Sequence, residues 1–246
     1  MNRHPRLFRL SGVRAGALGI VALFFVLFGL FYVNAQYLQD VKGYSPLLTG
    51  VCILPIAIAM PYASARSTRL SARIGARNTI VLGLLCVAAG LALLSFATAA
   101  TPYPLYGLLL AVVGGGMGLA MPPLSGTMVH ALPASHAGVS SGLNSTTREI
   151  GSALGVAVLS TVLITRFAGH LPVQLRAVPG AQGQAIRHSV TAALRYASSA
   201  PDPAVRAHLL KGTHDAFTAG TSLGLRIGVL LLLVTTAVVA RQHPTQ

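Results

Sequence analysis

The stretch AGALGIVALFFVLFGLFYVNAQY, Ala15 to Tyr37, carries no formal charge over 23 consecutive residues. As a helix it would run about 35 Å, longer than the ~30 Å hydrocarbon core of a bilayer. The basic MNRHPRLFRL before it and the VNA that precedes Gln36 loosely fit a secretory signal. The apolar part, however, exceeds the ~7 to 15 residues of such a signal, so the stretch is read as a membrane span.

Working outward, similar runs recur at Leu47 to Ala65, Thr79 to Ala100, Tyr103 to Val129, Val139 to Phe167 and Phe217 to Ala240. Composition agrees: 53% of residues are hydrophobic and 9% charged, with mean hydropathy +0.68. Lipid offers no hydrogen-bond partner to the backbone, and these Leu/Val/Ala runs lack the alternation of barrel strands. The expected fold is all-α, a polytopic bundle of six transmembrane helices. Its segments are a tail (1–14), five spans (15–167), a long loop with an amphipathic segment (168–216), a last span (217–240) and a short tail (241–246).

The net charge of +14 could suggest nucleic acid, but the 18 Lys and Arg lie mostly between apolar runs with no aromatic-interleaved basic domain. Topology and anionic lipid account for them better. Arg3, Arg6, Arg9, Arg14, Arg66, Arg69, Arg73, Arg77 and Arg241 fall on the side of the two termini, which predicts that both termini are cytoplasmic. Lys42, Arg176, Arg187, Arg195, Arg206 and Lys211 fall on the other side, five of them diluted through the long loop. Within that loop AIRHSVTAALRY puts Ile186, Val190, Ala193, Leu194 and Ala197 on one face, to lie against the membrane or the external mouth. A solvated connector is the competing reading.

Inside the fifth span, NSTTREIGSALG carries charge where lipid would penalise it. At 100° per residue Ser141, Asn144, Ser145, Arg148 and Ser152 share one arc, with Glu149 at its border and Gly151 and Gly155 beside it. An Arg near a helix centre costs about 2.5 to 3.5 kcal/mol on the insertion scale, so this stripe is expected to face protein or a water-filled cavity. Arg148 and Glu149 point about 100° apart, and each is expected to need a partner on another helix. Glu149 is either a proton-titrating carboxylate or half of a structural ion pair.

In the fourth span GGGMGLAMPP combines close-packing glycines, Gly114 and Gly118, with Pro122, which predicts a bend or hinge. Met117 and Met121 share a face there, as pocket lining or as core. Gly220, Gly224 and Gly228 form a smooth face on the last span, roughly opposite Arg226, which is expected to snorkel outward. Enzymatic signals are poor: GVSSG follows no strand, and all eight His lie outside the predicted spans at spacings that match no metal site. No cofactor is expected.

QYLQDVKGYSPLLTGVCILP, RLSARIGARN, GGGMGLAMPP and AGVSSGLNSTTREIGSALGVAV, in that order, resemble the C-terminal six spans of the fourteen-span drug/proton antiporters of the major facilitator superfamily. The resemblance implies a half-transporter in a bacterial-type inner cell membrane, whose six-helix bundle rocks against another bundle. Its partners would be lipid, protons, a small-molecule substrate, and a separate N-terminal half or a second copy of itself. RLSARIGAR resembles the family's cytoplasmic loop motif through Arg69, Arg73, Gly75 and Arg77, with Ala72 where an acid would stand. Glu149 stands where the family more often has Gln. The implied function is proton-coupled export of hydrophobic or amphipathic compounds along a path lined by Asn144, Arg148, Glu149, Met117, Met121, Tyr32 and Gln36. A non-transporting scaffold held by the glycine faces, or an inactive remnant, is the alternative.

Overall fold

A computed structural model describes residues 11–130 and 137–242, and no strand occurs among them. The helices are α1 (Ser11–Gln36), α2 (Pro46–Val51), α3 (Leu54–Ile74), α4 (Ala76–Leu94), α5 (Tyr103–His130), α6 (Ala137–His170), α7 (Val173–Arg176), α8 (Gly180–His188), α9 (Val190–Ser198) and α10 (Pro203–Gln242). A π-helical turn, Tyr37–Val41, continues α1. Six stretches are long and apolar enough to cross a membrane: Arg14–Val41, Pro46–Ile74, Ala76–Leu94, Tyr103–Val129, Ser141–His170 and Pro203–Arg241. Each contains or overlaps one predicted span.

The largest departure is at the last span, where helix begins at Pro203 rather than Phe217. Local chemistry explains it. The Asp202 carboxylate accepts a hydrogen bond from the Ala204 N–H at 2.8 Å, and Pro203 occupies the first helical position, where its missing N–H costs nothing. The predicted amphipathic segment is in turn divided at Ser189, whose extended backbone interrupts the helix and whose hydroxyl caps α9 by accepting from Ala192 N–H at 3.3 Å. Ile186, Val190, Ala193 and Ala197 are buried and Leu194 is half-buried. α9 packs on α10 and on the π turn, so this apolar face meets the end of the bundle at which the first span finishes.

Two parallel helix pairs organise the core, and each is built on glycines four residues apart. Gly114 and Gly118 of α5 meet the backbone of Ile56 and Met60 on α3, while Gly151 and Gly155 of α6 meet that of Val21 and Phe25 on α1. A Cβ at Gly114 would lie 2.8 Å from the Ile56 carbonyl oxygen, and one at Gly151 2.6 Å from that of Val21, so only glycine permits these crossings. α4 lies antiparallel to α5 through mutual approach of Gly83 and Gly116. α10 closes the bundle, with Gly220 against Leu163 and Gly224 against Leu159 of α6, and Gly228 facing Val26 and Leu91.

α5 runs unbroken through Pro122 and Pro123. Pro123 cannot donate to the carbonyl of Leu119, and in lipid an orphaned carbonyl is costly. The fully buried Ser67 of α3 supplies the missing donor, its hydroxyl reaching Leu119 O at 2.7 Å. A proline defect in one helix is thereby satisfied by its neighbour.

Candidate functional site

The stripe on α6 is arranged around Arg148. Its Nε donates to Asn144 Oδ1 at 3.0 Å, one turn earlier on the same helix, and its guanidinium lies 5.3 Å from the Phe24 ring centroid on α1. The cation is thus held by an amide and an aromatic face rather than by a carboxylate. Phe24 had no signal in the sequence, because an aromatic residue in an apolar span looks like any other. Glu149 is exposed, and among the described residues it pairs with no basic side chain. Asn144 and Arg148 are half-buried, as are Tyr32 and Gln36 on α1. Met117 and Met121 are buried in the core.

On the side of the Gly151 crossing nearer the start of α1 a groove of about 330 Å³ lies between α1 and α6, lined by Arg14, Leu18, Val21, Leu143, Thr147 and Ile150. Arg14 is its single charge. In the loop between α3 and α4, Gly75 adopts φ +85°, which a side chain would strain. Arg69 and Arg73 are exposed and Arg77 is half-buried. Arg66, one helical turn before Arg69, lies 3.5 Å from the Tyr62 ring centroid.

A second polar locus lies at the opposite end of the bundle. Asn34 of α1 is completely buried, and its Oδ1 accepts from the Tyr106 hydroxyl of α5 at 2.7 Å while its Nδ2 has no partner. Tyr106 stacks on Tyr37 with centroids 4.9 Å apart, and Tyr37 donates to the Thr98 carbonyl at 2.7 Å. Lys42 donates to the carbonyls of Ala99 (2.7 Å) and Thr101 (2.5 Å), closing the α4–α5 connection over the π turn. Burial lowers the pKa of its ammonium group. Only the sequence NAQY, with its polar residues at the end of an apolar run, could have pointed here.

Arg226 is exposed on α10 and lies over Phe96, just beyond the end of α4, at 5.5 Å. With Arg241 it brackets the exposed Leu230, Leu233 and Val234. The glycine faces of α5 and α10, by contrast, are occupied by contacts within the chain.

Burial is uneven across the spans. Within their most apolar windows, 22% of the second span and 28% of the fifth are buried, against 39 to 61% of the other four. α3 and α6 therefore present broad apolar faces, with Leu54, Ile58 and Tyr62 on one and Ile150, Leu154 and Val158 on the other.

Residues 2–156 match the model of the Major Facilitator Superfamily. The chain is 37% identical over 175 residues to the multidrug resistance protein Stp of Mycobacterium tuberculosis, covering 70% of this chain and 32% of that protein. It is 35% identical over 190 residues to the puromycin resistance protein pur8 of Streptomyces alboniger, covering 75% of this chain and 38% of the relative. Against the multidrug efflux pump LfrA of Mycolicibacterium smegmatis identity is 29% over 230 residues, covering 93% of this chain and 44% of the pump. The matched parts thus amount to less than half the length of each of these relatives. With six apolar helices joined by glycine crossings and a family match over more than half of its length, the chain is a multi-pass membrane protein that belongs to the Major Facilitator Superfamily.

Proposed function

We propose that this chain forms one six-helix bundle of a proton-coupled exporter of hydrophobic or amphipathic compounds, equivalent to the C-terminal six spans of a fourteen-span antiporter. Its relatives' names speak of multidrug and puromycin resistance and of multidrug efflux. The observation that carries the reading is the sparse burial of α3 and α6 beside four better-packed spans. Two incompletely covered helices in one bundle are what a second bundle, separately encoded or a second copy, would cover. Both termini lie in the cytoplasm of a bacterial cell, following the excess of arginine in the first tail and the α3–α4 loop.

In this arrangement Asn144 and Arg148 form a polar strip on the path wall, and the half-buried Tyr32 and Gln36 continue it toward the external end. Glu149, exposed on α6, is the carboxylate that a partner bundle encloses and that takes part in proton coupling. The buried Met117 and Met121 act through packing in α5. The scaffold alternative is weakened by the glycine faces, which are already engaged within the chain.

The test is dye transport in everted vesicles driven by a proton gradient, with this chain alone and with Glu149→Gln at matched membrane levels. Gradient-dependent movement that the substitution weakens supports transport by this bundle with Glu149 taking part. Stable insertion without movement removes autonomous transport. Cysteines at positions 144 and 148 that resist water-soluble thiol reagents, while aqueous controls react, remove the path assignment.

A further inference from the structure

The external helices enclose a feature that transport by the bundle does not use. α8 and α9 diverge from Ser189 around an open groove of about 530 Å³, lined by Gln182, Ile186, Thr191, Arg195, Tyr196 and Ser199 among others. That volume is in the usual range of small-molecule sites, about 300 to 1,000 Å³. The groove has an apolar side, supplied by the buried Ile186 and by Tyr196, which packs on the core. It also has one charge, Arg195, and no acid among its lining residues.

The hydrogen bonds of the groove leave that charge free. Ser189 accepts from Ala192 N–H, Ser199 donates to the Tyr196 carbonyl at 2.8 Å, and Thr191 donates to Asp40 Oδ1 at 3.0 Å. These contacts fix the wall and tie it to the end of the first span. Two other loop arginines are engaged, Arg187 with the carbonyls of Arg176 and Val178 and Arg206 with that of Ala200, and Arg176 does not line the groove. Among the described residues Arg195 has no hydrogen-bond or ion-pair partner, and it is exposed. An unengaged guanidinium beside apolar surface fits a ligand with an anionic group on an apolar body, since a guanidinium binds carboxylate, sulfonate or phosphate through charge-assisted hydrogen bonds.

We propose that the α8–α9 groove is an external binding site for anionic amphipathic molecules, with Arg195 holding the anionic group and Ile186 and Tyr196 the apolar part. The proposal does not depend on transport, and its test reads binding alone.

The chain has no tryptophan, so Gln182→Trp places a single indole in the groove. With the protein in zwitterionic nanodiscs, energy transfer from that indole to 8-anilinonaphthalene-1-sulfonate is titrated against empty discs. Saturable transfer is expected, weakened roughly tenfold or more by Arg195→Gln and unchanged by Arg206→Gln. Tetraphenylphosphonium, an apolar cation, should not compete. Non-saturable transfer, equal affinity in the Arg195→Gln variant, or competition by the cation would each overturn the site. A parallel titration in discs containing phosphatidylglycerol separates the two sources of such an anion. An unchanged affinity assigns the site to free solutes, and competition by the anionic headgroups assigns it to lipid; both support recognition of an anion on an apolar body.

Discussion

Replacing Gly155 by alanine adds one methyl group where the backbones of α1 and α6 meet directly. That Cβ would collide with the Phe25 carbonyl oxygen and lie 2.7 and 2.8 Å from the carbonyl carbon and Cα of Phe25. Ordinary contact begins near 3.4 Å, so relieving the contacts to the carbonyl carbon and Cα alone parts the two backbones by about 0.7 Å, and the carbonyl oxygen demands more. Backbone cannot rotate aside as a side chain can, and overpacking of this kind costs about 1 to 3 kcal/mol. Gly142→Ala, on the same helix with nothing within 4 Å of its added Cβ, is the matched control, and by helix propensity it should be neutral or stabilising by up to ~1 kcal/mol. Thermal unfolding in detergent, followed by circular dichroism, should lower the Gly155→Ala midpoint by about 2 to 4 °C per kcal/mol for a chain of this size. If Gly155→Ala and Gly142→Ala unfold together at or above the parent midpoint, the glycine-dependent crossing is wrong.

Three further outcomes follow from the hydrogen bonds. Ser67→Ala should cost about 1 to 3 kcal/mol by stranding the Leu119 carbonyl, and the loss should shrink in a Pro123→Ala background, where the restored N–H can donate; an unchanged loss in that double-mutant cycle would refute the compensation. Tyr106→Phe should destabilise by about 1 to 3 kcal/mol because it leaves the Asn34 amide wholly unpaired, whereas Asn34→Leu combined with Tyr106→Phe should recover most of the loss in the same melting assay. Lys42→Met should speed amide hydrogen exchange selectively around residues 97–101, where its ammonium now holds two carbonyls; uniform exchange across the chain would contradict that role.

The bundle was legible because bilayer thickness imposes a length on every span, and an uncharged run such as Ala15 to Tyr37 records that length directly. Glycine spacing was legible too, since Gly151 and Gly155 stand on one face of any helix. What they pack against was not, because the register between two helices is set by side chains far apart in sequence. Ser67 and Pro123 are an example: neither residue alone suggests that one repairs the other. Helix starts outside the membrane were lost for a different reason, as a hydropathy window is blind to Asp202 and Pro203, whose effect is on a few backbone groups. Of the stripe on α6, the sequence places the partner of Arg148 on another helix; its hydrogen bond instead goes to Asn144 four residues back on α6, and Phe24 of α1 became visible only with both helices in place.

α10 is a single helix of 40 residues, about 60 Å of uninterrupted rod. Its contacts at Gly228 with Val26 and Leu91 lie about 37 Å from Pro203 along the axis. A rod pivoting there works as a lever: a tilt of ~10° sweeps its far end through ~6 Å. Because α9 rests on that arm and is joined to the first span through Thr191 and Asp40, such a tilt would carry the outermost helices with it.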